Sequence, residues 1–354
     1  MTSARRQVAF VLPGRLNTPT GGYIYDRHVV DGLRDRGWTV NVHELDDSFP
    51  APTAAARAAA AAALACLPDD STAIVDGLAL GALPQEAGRE ARRLRMIGFV
   101  HLPLADETGL TDEQARALLA SERAALAAVR HVVVPSTGTR DRLRDHYGVD
   151  ADRVTVIEPG TDPAPAAHGS SGNPVHLLCV ATLTPRKGHD TLFRALAAVP
   201  DANWVLTCAG SGDRDPATAA RLRALTLELG IDGRVRFIGS VDQETLFRYY
   251  DGADVFVLPT LREGFCMAIC EALARGLPVI STPACGLQAL IADEAGILVE
   301  AEDVPALARA LRTTIGDAAA RERLAAGARR VRGRLPDWPL TIRRFEAVVL
   351  DVQR

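Results

Sequence analysis

Short apolar runs alternate with amphipathic stretches along most of the chain. In the first half, Gln7–Leu12 predicts a buried strand, and Ile24–Arg36 predicts a helix that ends at Gly37. Because apolar strands separated by helices are typical of parallel sheets, we predict a parallel sheet covered by helices. The other strands predicted in this half are Thr39–Glu44, Thr72–Val75, Met96–His101 and His131–Pro135, and the alanine-rich run Ala54–Ala65 predicts a helix.

The alternation pauses between Glu158 and Pro174, where glycine, proline and serine are frequent, and we interpret this stretch as a linker. It then starts again, so the second half predicts a second α/β domain. The predicted strands are Val175–Val180, Ala202–Ala209, Val235–Ile238, Val255–Leu258 and Val279–Ser281. The predicted helices are His189–Val199, Thr218–Leu229, Gln243–Tyr250, Cys266–Arg275 and, in the tail, Pro339–Val352.

This repeated pattern predicts an α/β protein of two doubly wound, Rossmann-like domains that face a central cleft. We place the domains at residues 1–165 and 166–339, and a length of 354 residues agrees with two domains. Such sheets bind ligands at the carboxyl ends of their strands, so we expect functional residues in the loops that follow the strands.

The composition excludes several classes of protein. Apolar residues make up 47% of the chain, and a formal net charge of −4 does not suit a general nucleic-acid binder. No stretch approaches the ~20 apolar residues of a membrane span and no export signal is found, so we expect a cytoplasmic protein. A basic patch either contacts an anionic membrane surface or lies on a solvated helix face; it comprises Arg89, Arg92, Arg93 and Arg95.

The cysteines lack the spacing of a metal site or redox motif, and we interpret them as small buried hydrophobic residues. Asp213 and Asp215 have the spacing of a metal-binding pair. They follow Gly-Ser-Gly and precede Pro216, so we interpret them as a solvated loop and predict no metal. The six cysteines are Cys66, Cys179, Cys208, Cys266, Cys270 and Cys285.

Two loops have the residues of a phosphate site. Gly21 and Gly22 follow the first strand, where the backbone can approach a ligand and a helix start can bind phosphate. A plain tight turn is the alternative, because the full Gly-x-Gly-x-x-Gly fingerprint is missing. Arg186 and Lys187, followed by Gly188, come after the first strand of the second half and are suited to a diphosphate. Two solvated surface cations are the alternative there.

Two glutamates and one histidine are candidates for binding hydroxyl groups. Glu263 and Glu271 stand eight residues apart, roughly two helical turns, with mostly apolar residues between them. Buried carboxylates need donors, and the hydroxyls of a sugar or ribose are suitable. For Glu263 alone, the alternative is an interaction with the positive end of the helix. His101 lies at a strand end before Pro103, and it either contacts a sugar or is a structural histidine.

Taken together, these motifs resemble glycosyltransferase family 4, the retaining enzymes of GT-B fold, over nearly the whole chain. The most specific part is the pair Glu263 and Glu271 within its surrounding motif. One departure is Ala289, which stands where the family usually has a glutamate. The matching segments are 156–162, 209–212, 237–239 and 259–280.

The resemblance implies a role for each candidate. Arg186 and Lys187 would hold the diphosphate of a nucleotide-sugar donor, helped by the backbone near Gly22. Glu271 would bind the ribose hydroxyls, and His101 would contact the sugar. The other donor-binding residues that it implies are Gly21, then Gly239, Ser240 and Val241 beside the nucleobase, and Glu263, Gly264, Phe265 and Cys266 at the transferred sugar.

The implied activity is a retaining transfer from a nucleotide sugar, with a UDP-sugar favoured, to a small soluble acceptor. His101, Glu263, Arg186 and Lys187 would be the catalytic residues, without a cofactor or metal. We favour a front-side displacement in which the leaving diphosphate accepts the acceptor's proton. The family also implies that residues 340–354 form a helix that crosses back to the first domain.

Two other functions remain as alternatives. An NAD-dependent oxidoreductase also has doubly wound domains, but the chain lacks the glycine fingerprint of that class. A non-catalytic subunit that binds sugar nucleotides would use the same residues without turnover. The oligomeric state stays open.

Overall fold

A computed structural model of the protein describes residues 6–292 and 294–354, except for the side chain of Cys285. The chain divides into two compact units. The first comprises Met1–Gly160 with Pro336–Arg354, and the second comprises Thr161–Leu335. The chain therefore changes units after residues 160 and 335, whereas the sequence analysis placed these boundaries after residues 165 and 339.

The first unit contains, in its described part, one six-stranded sheet in which all neighbouring strands are parallel. The strands are β1 (Gln7–Pro13), β2 (Thr39–Leu45), β3 (Thr72–Asp76), β4 (Arg95–Phe99), β5 (His131–Val134) and β6 (Val154–Val156). Their order is β2-β1-β3-β4-β5-β6. The first six helices are α1 (Gly21–Asp35), α2 (Ala54–Ala65), α3 (Gly77–Leu80), α4 (Pro84–Glu90), α5 (Asp112–Ala128) and α6 (Thr137–Tyr147).

The second unit has a parallel sheet of the same size among its described residues, in the order β12-β11-β10-β7-β8-β9. The strands are β7 (Val175–Val180), β8 (Trp204–Ala209), β9 (Val235–Gly239), β10 (Val255–Leu258), β11 (Val279–Ser281) and β12 (Gly296–Leu298). The helices are α7 (His189–Ala197), α8 (Pro216–Glu228), α9 (Gln243–Asp251), α10 (Met267–Ala274), α11 (Gln288–Ala292), α12 (Val304–Gly316) and α13 (Ala318–Val331).

The predicted strands are all present, because the central strands are largely apolar and mostly buried; β10, for example, is buried at every residue. The sequence analysis missed β6 and β12. Both are three-residue strands at a sheet edge and only partly buried, so they lack a long apolar run. The strand predicted over Met96–His101 ends at Phe99, which places His101 in the following loop.

The last helix, α14 (Trp338–Val352), belongs to the first unit and packs against α1. The Phe345 ring lies edge-on to Phe99 of β4, with 5.1 Å between ring centroids. The Glu346 carboxylate accepts a hydrogen bond from Trp38 Nε1 at 2.9 Å. The predicted return of the chain to the first domain is therefore confirmed.

The stretch interpreted as a linker is partly fixed to the second unit. The backbone N–H of Ala167 donates to the carbonyl of Arg275, and that of Gly169 donates to the carbonyl of Asp251, both at 2.9 Å. The Asp254 carboxylate accepts from the Ser170 N–H at 3.0 Å. This glycine-rich stretch thus makes close backbone contacts with the second unit. It also contains the point at which the chain passes from the first unit to the second.

Two of the four arginines of the basic patch are engaged in the fold. Arg93 donates to the Glu90 carboxylate at 2.9 Å and to the Leu64 carbonyl at 2.9 Å. The Arg95 guanidinium contacts the carbonyl of Gln353. These two arginines therefore have structural partners, and contact of the basic patch with a membrane stays a prediction. Separately, none of the helices in the described ranges has both the length and the apolar character needed to span a bilayer.

Most cysteine side chains are buried as predicted. Cys179, Cys208, Cys266 and Cys270 are buried, whereas Cys66 at the end of α2 is exposed. The prediction was wrong for Cys66 because it follows the last buried position of a helix whose outer face is solvated. The side chain of Cys285 lies outside the described part of the structure.

The contact between α1 and α14 leaves no room for a side chain at Gly32. A Cβ there would lie 2.5 Å from Ile342 Cγ1 of α14. We expect Gly32→Ala to lower the free energy of unfolding by about 1–3 kcal/mol, because overpacking forces neighbouring side chains out of place. Urea denaturation measures this change. The matched control is Gly88→Ala in α4, where a Cβ meets no atom within 4 Å and a gain of up to about 1 kcal/mol is expected. Equal effects of the two substitutions would contradict this packing.

Candidate functional site

Each sheet has one place where the strand order reverses, and open α/β sheets bind ligands there. In the second unit, β7 lies between β8 and β10, so the loops after β7 and β10 leave the sheet side by side. The loop after β7 contains Arg186 and Lys187, and the loop after β10 contains Glu263. The fold thus brings together residues that are more than seventy positions apart in the sequence.

Gly188 allows these two loops to touch. Its φ of 70° lies in the left-handed region, and an added Cβ would lie 2.0 Å from the carbonyl oxygen of Pro259. The carbonyl of Arg186 accepts hydrogen bonds from the Leu261 N–H at 2.8 Å and from the Thr260 hydroxyl at 3.0 Å. The backbone therefore fixes the position of the Arg186 turn before any ligand is present.

The Glu263 carboxylate binds both cations of this turn. Its Oε2 accepts from Arg186 Nη1 at 2.9 Å, and its Oε1 pairs with Lys187 Nζ and accepts from the Thr260 hydroxyl at 3.0 Å. The Glu263 side chain is 7% exposed. Burial by itself would raise the pKa of Glu263, but the charges of Lys187 and Arg186 outweigh it and lower the pKa below its ordinary value. Glu263 is therefore ionised, and the three side chains carry a formal charge of +1.

Lys187 is the only lysine in the chain, whereas the other 39 of the 40 basic residues are arginines. Lysine presents a compact, strongly hydrated ammonium, while arginine presents a planar fork with fixed directions. At position 187 the chain thus has a compact point charge, whereas all its remaining Lys/Arg positions have a guanidinium. Beside the fork of Arg186, it gives the site two cations of different geometry.

We refer to Arg186, Lys187 and Glu263 as the Glu263 cluster. The side chain of Glu271 on α10 has other partners. Its Oε2 accepts a hydrogen bond from the hydroxyl of buried Tyr250 at 2.9 Å. The Arg275 guanidinium stacks over the Tyr250 ring, 4.7 Å from the centroid, and donates to the carbonyl of Glu271 at 3.0 Å. Burial raises the pKa of Glu271, and the charge of Asp162 adds to this effect. Tyr250 therefore fixes one carboxylate oxygen of Glu271.

The other predicted donor-binding residues of this unit lie in loops at the carboxyl ends of strands. Gly239 ends β9 with a φ of 68°, and its carbonyl accepts from the Gly210 N–H at 2.8 Å. Ser240 and Val241 follow in the next loop, where Ser240 is exposed. The loop between Glu263 and α10 is completed by Gly264, Phe265 and Cys266.

In the first unit the strand order reverses beside β1, which lies between β2 and β3. Helix α1 follows β1 and begins at Gly21, Asp76 ends β3, and His101 follows β4. A Cβ on Gly22 would lie 3.3 Å from His101 Cδ2. The start of α1 and the His101 ring are therefore in close contact, which places two of the predicted residues, Gly22 and His101, together.

His101 is hydrogen-bonded to a buried carboxylate. Its Nε2 lies 2.8 Å from Oδ1 of Asp26 and 3.5 Å from Oδ2 of Asp76. Burial by itself would lower the pKa of His101, but the two carboxylates outweigh it and raise the pKa above its ordinary value. Burial and the charge of Asp26 raise the pKa of Asp76 to about 7. Because His101 and Asp76 interact, the protonation of each depends on that of the other.

The same three side chains form the one group among the described residues whose possible metal ligands lie within 4.8 Å of one another. The short contact between His101 and Asp26 has the geometry of a hydrogen bond, and we treat it as one. The Asp-x-Asp pair is engaged locally, because Asp215 caps α8 and Asp213 accepts from the Ser211 hydroxyl. The absence of a metal requirement stays a prediction.

The sequence analysis missed four polar partners of the predicted residues, namely Asp26, Asp76, Thr260 and Tyr250. For Asp26 a signal existed, because it shares a helical face with Val30 and Leu33, both buried. An acid on an apolar face needs a buried partner. The remaining partners gave no comparable signal, since their roles depend on which loops the fold brings together.

Two family models match the chain. The model for Glycosyltransferase Family 4 matches residues 71–165, and the model for Glycosyl transferases group 1 matches residues 161–331. The matched residues include Asp76, His101 and the whole Glu263 cluster. These matches favour glycosyl transfer over the NAD-dependent alternative.

Curated relatives support the same assignment. A D-inositol 3-phosphate glycosyltransferase of Corynebacterium efficiens is 32% identical over 212 residues, which are 54% of this chain and 50% of that protein. One of Nocardioides sp. is 33% identical over 274 residues, 70% of this chain and 58% of that protein. The matches thus span less than two thirds of these relatives' own lengths.

Solved structures show the fold. Sucrose-phosphate synthase from Thermosynechococcus elongatus has a TM-score of 0.80 at 22% identity and covers 97% of this chain and 98% of its own. Anabaena HepE in complex with UDP and glucose has a TM-score of 0.76 at 18% identity and covers 96% and 99%. The predicted GT-B fold class is confirmed.

Glu263→Gln removes the negative charge that faces Arg186 and Lys187 and keeps the shape of the side chain. We expect the free energy of unfolding to fall by about 1–3 kcal/mol at pH 7, less than for a fully buried pair because the cations are partly exposed. Because the pKa of Glu263 is lowered in the folded protein, this stabilisation is present above the ordinary value of 4.5 and is lost as the pH falls through the folded value. Urea denaturation should therefore show the two proteins converging in acid.

The matched control is Glu244→Gln on α9. Glu244 is 81% exposed and pairs with Arg248 one helical turn away, so we expect a loss below about 0.5 kcal/mol. A loss at Glu263 no greater than that at Glu244 would show that the cluster does not stabilise the unit.

Proposed function

The chain belongs to glycosyltransferase family 4, and we propose that it transfers a sugar from a nucleoside-diphosphate sugar to a hydroxyl group of an acceptor. The observation that carries this proposal is the cluster of Arg186, Lys187 and Glu263 at the strand-order reversal of the second sheet. It combines two cations suited to a diphosphate with a carboxylate suited to sugar hydroxyls.

The donor would be recognised by residues of the second unit. Its diphosphate would share Arg186 and Lys187 with Glu263, whose carboxylate oxygens can also accept from hydroxyl groups of the sugar. Glu271, held by Tyr250, would accept from the ribose hydroxyls. We favour a UDP-sugar, in agreement with the UDP and glucose described for the HepE complex.

The reaction we propose breaks the bond between the anomeric carbon and the diphosphate oxygen. The acceptor oxygen forms its bond on the same face, and its proton passes to the departing diphosphate, so the configuration is retained. Negative charge develops on the leaving group, and the fixed cations Arg186 and Lys187 stabilise it. Glu263 then serves as a sugar-binding residue rather than as a nucleophile. The step needs no metal or cofactor.

The acceptor we propose is a small, soluble, hydroxyl-rich molecule. The relatives' name, D-inositol 3-phosphate glycosyltransferase, points to one such compound as their acceptor. Because the matches span less than two thirds of those proteins, this compound is one candidate in a wider screen. The cytoplasmic location stays a prediction.

The proposal is tested by incubating the protein with UDP- and GDP-sugars, with and without candidate acceptors, and measuring the released nucleoside diphosphate. We expect turnover with at least one donor, equal in the presence of EDTA. Lys187→Ala should reduce the rate by about 100-fold or more, because a cation at the leaving group is lost. Lys187→Arg should also lose activity, since a guanidinium does not replace a compact ammonium.

The matched control is Arg221→Ala. Arg221 is half exposed, and its Nη1 lies 3.9 Å from a carboxylate oxygen of Asp190, so its loss should leave turnover unchanged. Full activity of Lys187→Ala would contradict the proposed role. Binding of UDP without turnover of any donor would instead support the non-catalytic subunit.

A further inference from the structure

Asp26 is a carboxylate in an apolar setting. It lies one turn after Gly22 on α1, is 1% exposed, and shares its helical face with Val30 and Leu33. A buried carboxylate is costly unless a donor pairs with it. Nε2 of His101, 2.8 Å from Oδ1, is that partner. The hydrogen bond that the structure gives the Asp26 side chain therefore goes to His101.

The His101 ring is held on several sides. The Phe99 ring centroid lies 4.3 Å from that of His101, and the Tyr25 centroid lies 5.7 Å away. Gly22 contacts the Cδ2 edge closely enough that a Cβ would lie 3.3 Å from it. With Nε2 engaged by Asp26, Nδ1 is the ring nitrogen that remains for a substrate, and the His101 side chain is 20% exposed.

We propose that Asp26 is a positioning residue for His101: it holds the proton on Nε2 and fixes the ring so that Nδ1 can bind a hydroxyl group of the sugar substrate. The inference rests on the proposed sugar transfer and deepens it. Asp26 does not touch the substrate in this account and acts only through His101.

Charge gives the pairing a second effect. The titratable groups that face His101 are Asp26 and Tyr25 from α1 and Asp76 from the end of β3. The two carboxylates favour the protonated ring. A lone imidazolium that binds the sugar would oppose the positive charge that builds up on the sugar ring, whereas an imidazolium paired with a carboxylate would not. Asp26 therefore lets His101 donate a hydrogen bond from Nδ1 without adding net positive charge.

The first measurement needs no activity. Imidazole carbon-bound protons of the full chain are titrated by NMR, and the His101 signal is assigned by its loss in His101→Asn. We expect a pKa for His101 above the ordinary 6.5 in the wild type and a lower one in Asp26→Asn. The control Asp31→Asn lies on the same helix, where Asp31 is 58% exposed and pairs with Arg34, and it should leave the His101 pKa unchanged. Should Asp26→Asn fail to fold, the wild-type value alone decides, and a value at or below 6.5 overturns the inference.

The second measurement uses the donor assay. Asp26→Asn can still accept a hydrogen bond, so we expect kcat to fall by at least about tenfold with little change in the donor KM. In a plot of activity against pH, activity should fall as the pH rises through the His101 pKa, and this fall should occur at lower pH in Asp26→Asn. If Asp26 were purely structural, Asp26→Asn would lower the stability without changing the pH at which activity falls. Asp31→Asn should have the wild-type profile.

The two proposals fail in different ways. If no donor is turned over but the His101 pKa still falls in Asp26→Asn, the proposed function fails and the pairing stands. If the protein transfers sugar and Asp26→Asn has the wild-type kcat and pH profile, the positioning role is overturned.

Discussion

The ion pairs of Glu263 with Arg186 and Lys187 are the interaction on which the rest of the candidate site depends. A glutamate that is 7% exposed needs cationic partners to remain charged, and two cations on one short turn need an anion between them. The carboxylate thus holds the turn in one shape before a ligand arrives. Gly188 supports the same arrangement from the backbone, because only a residue without a Cβ lets the turn approach Pro259 so closely.

Both units place their polar clusters by the same topological rule. In the second unit the loops after β7 and β10 meet where the strand order reverses. In the first unit the reversal lies between β1, which leads to Gly22, and β3, which ends at Asp76. The chemistry of the two places differs. In the second unit the side chains of Arg186, Lys187 and Glu263 carry a formal charge of +1, which suits a diphosphate, whereas the first unit has two carboxylates around one histidine.

Much of the fold could be predicted from the sequence, because its central strands are unbroken apolar runs separated by helices. The edge strands β6 and β12 could not, since three residues, of which at most one is buried, are too few to form a pattern. Among site residues, Arg186, Lys187 and Glu263 were found from their residue types and their positions after strands. Their mutual contact was not, because the sequence does not say that β7 and β10 are neighbours. Asp26 was missed although its place on an apolar helical face marks it as a buried acid.

The central claim is that a nucleoside diphosphate binds at the Lys187 ammonium, and Lys187 is the only lysine in the chain. The most direct measurement is the rate of acylation of Lys187 by an amine-specific reagent, followed by mass spectrometry with and without saturating UDP or GDP. The account predicts that one of these nucleotides slows the acylation of Lys187 and leaves that of the terminal amine unchanged. A rate that is the same with and without a nucleotide shown to bind would contradict it.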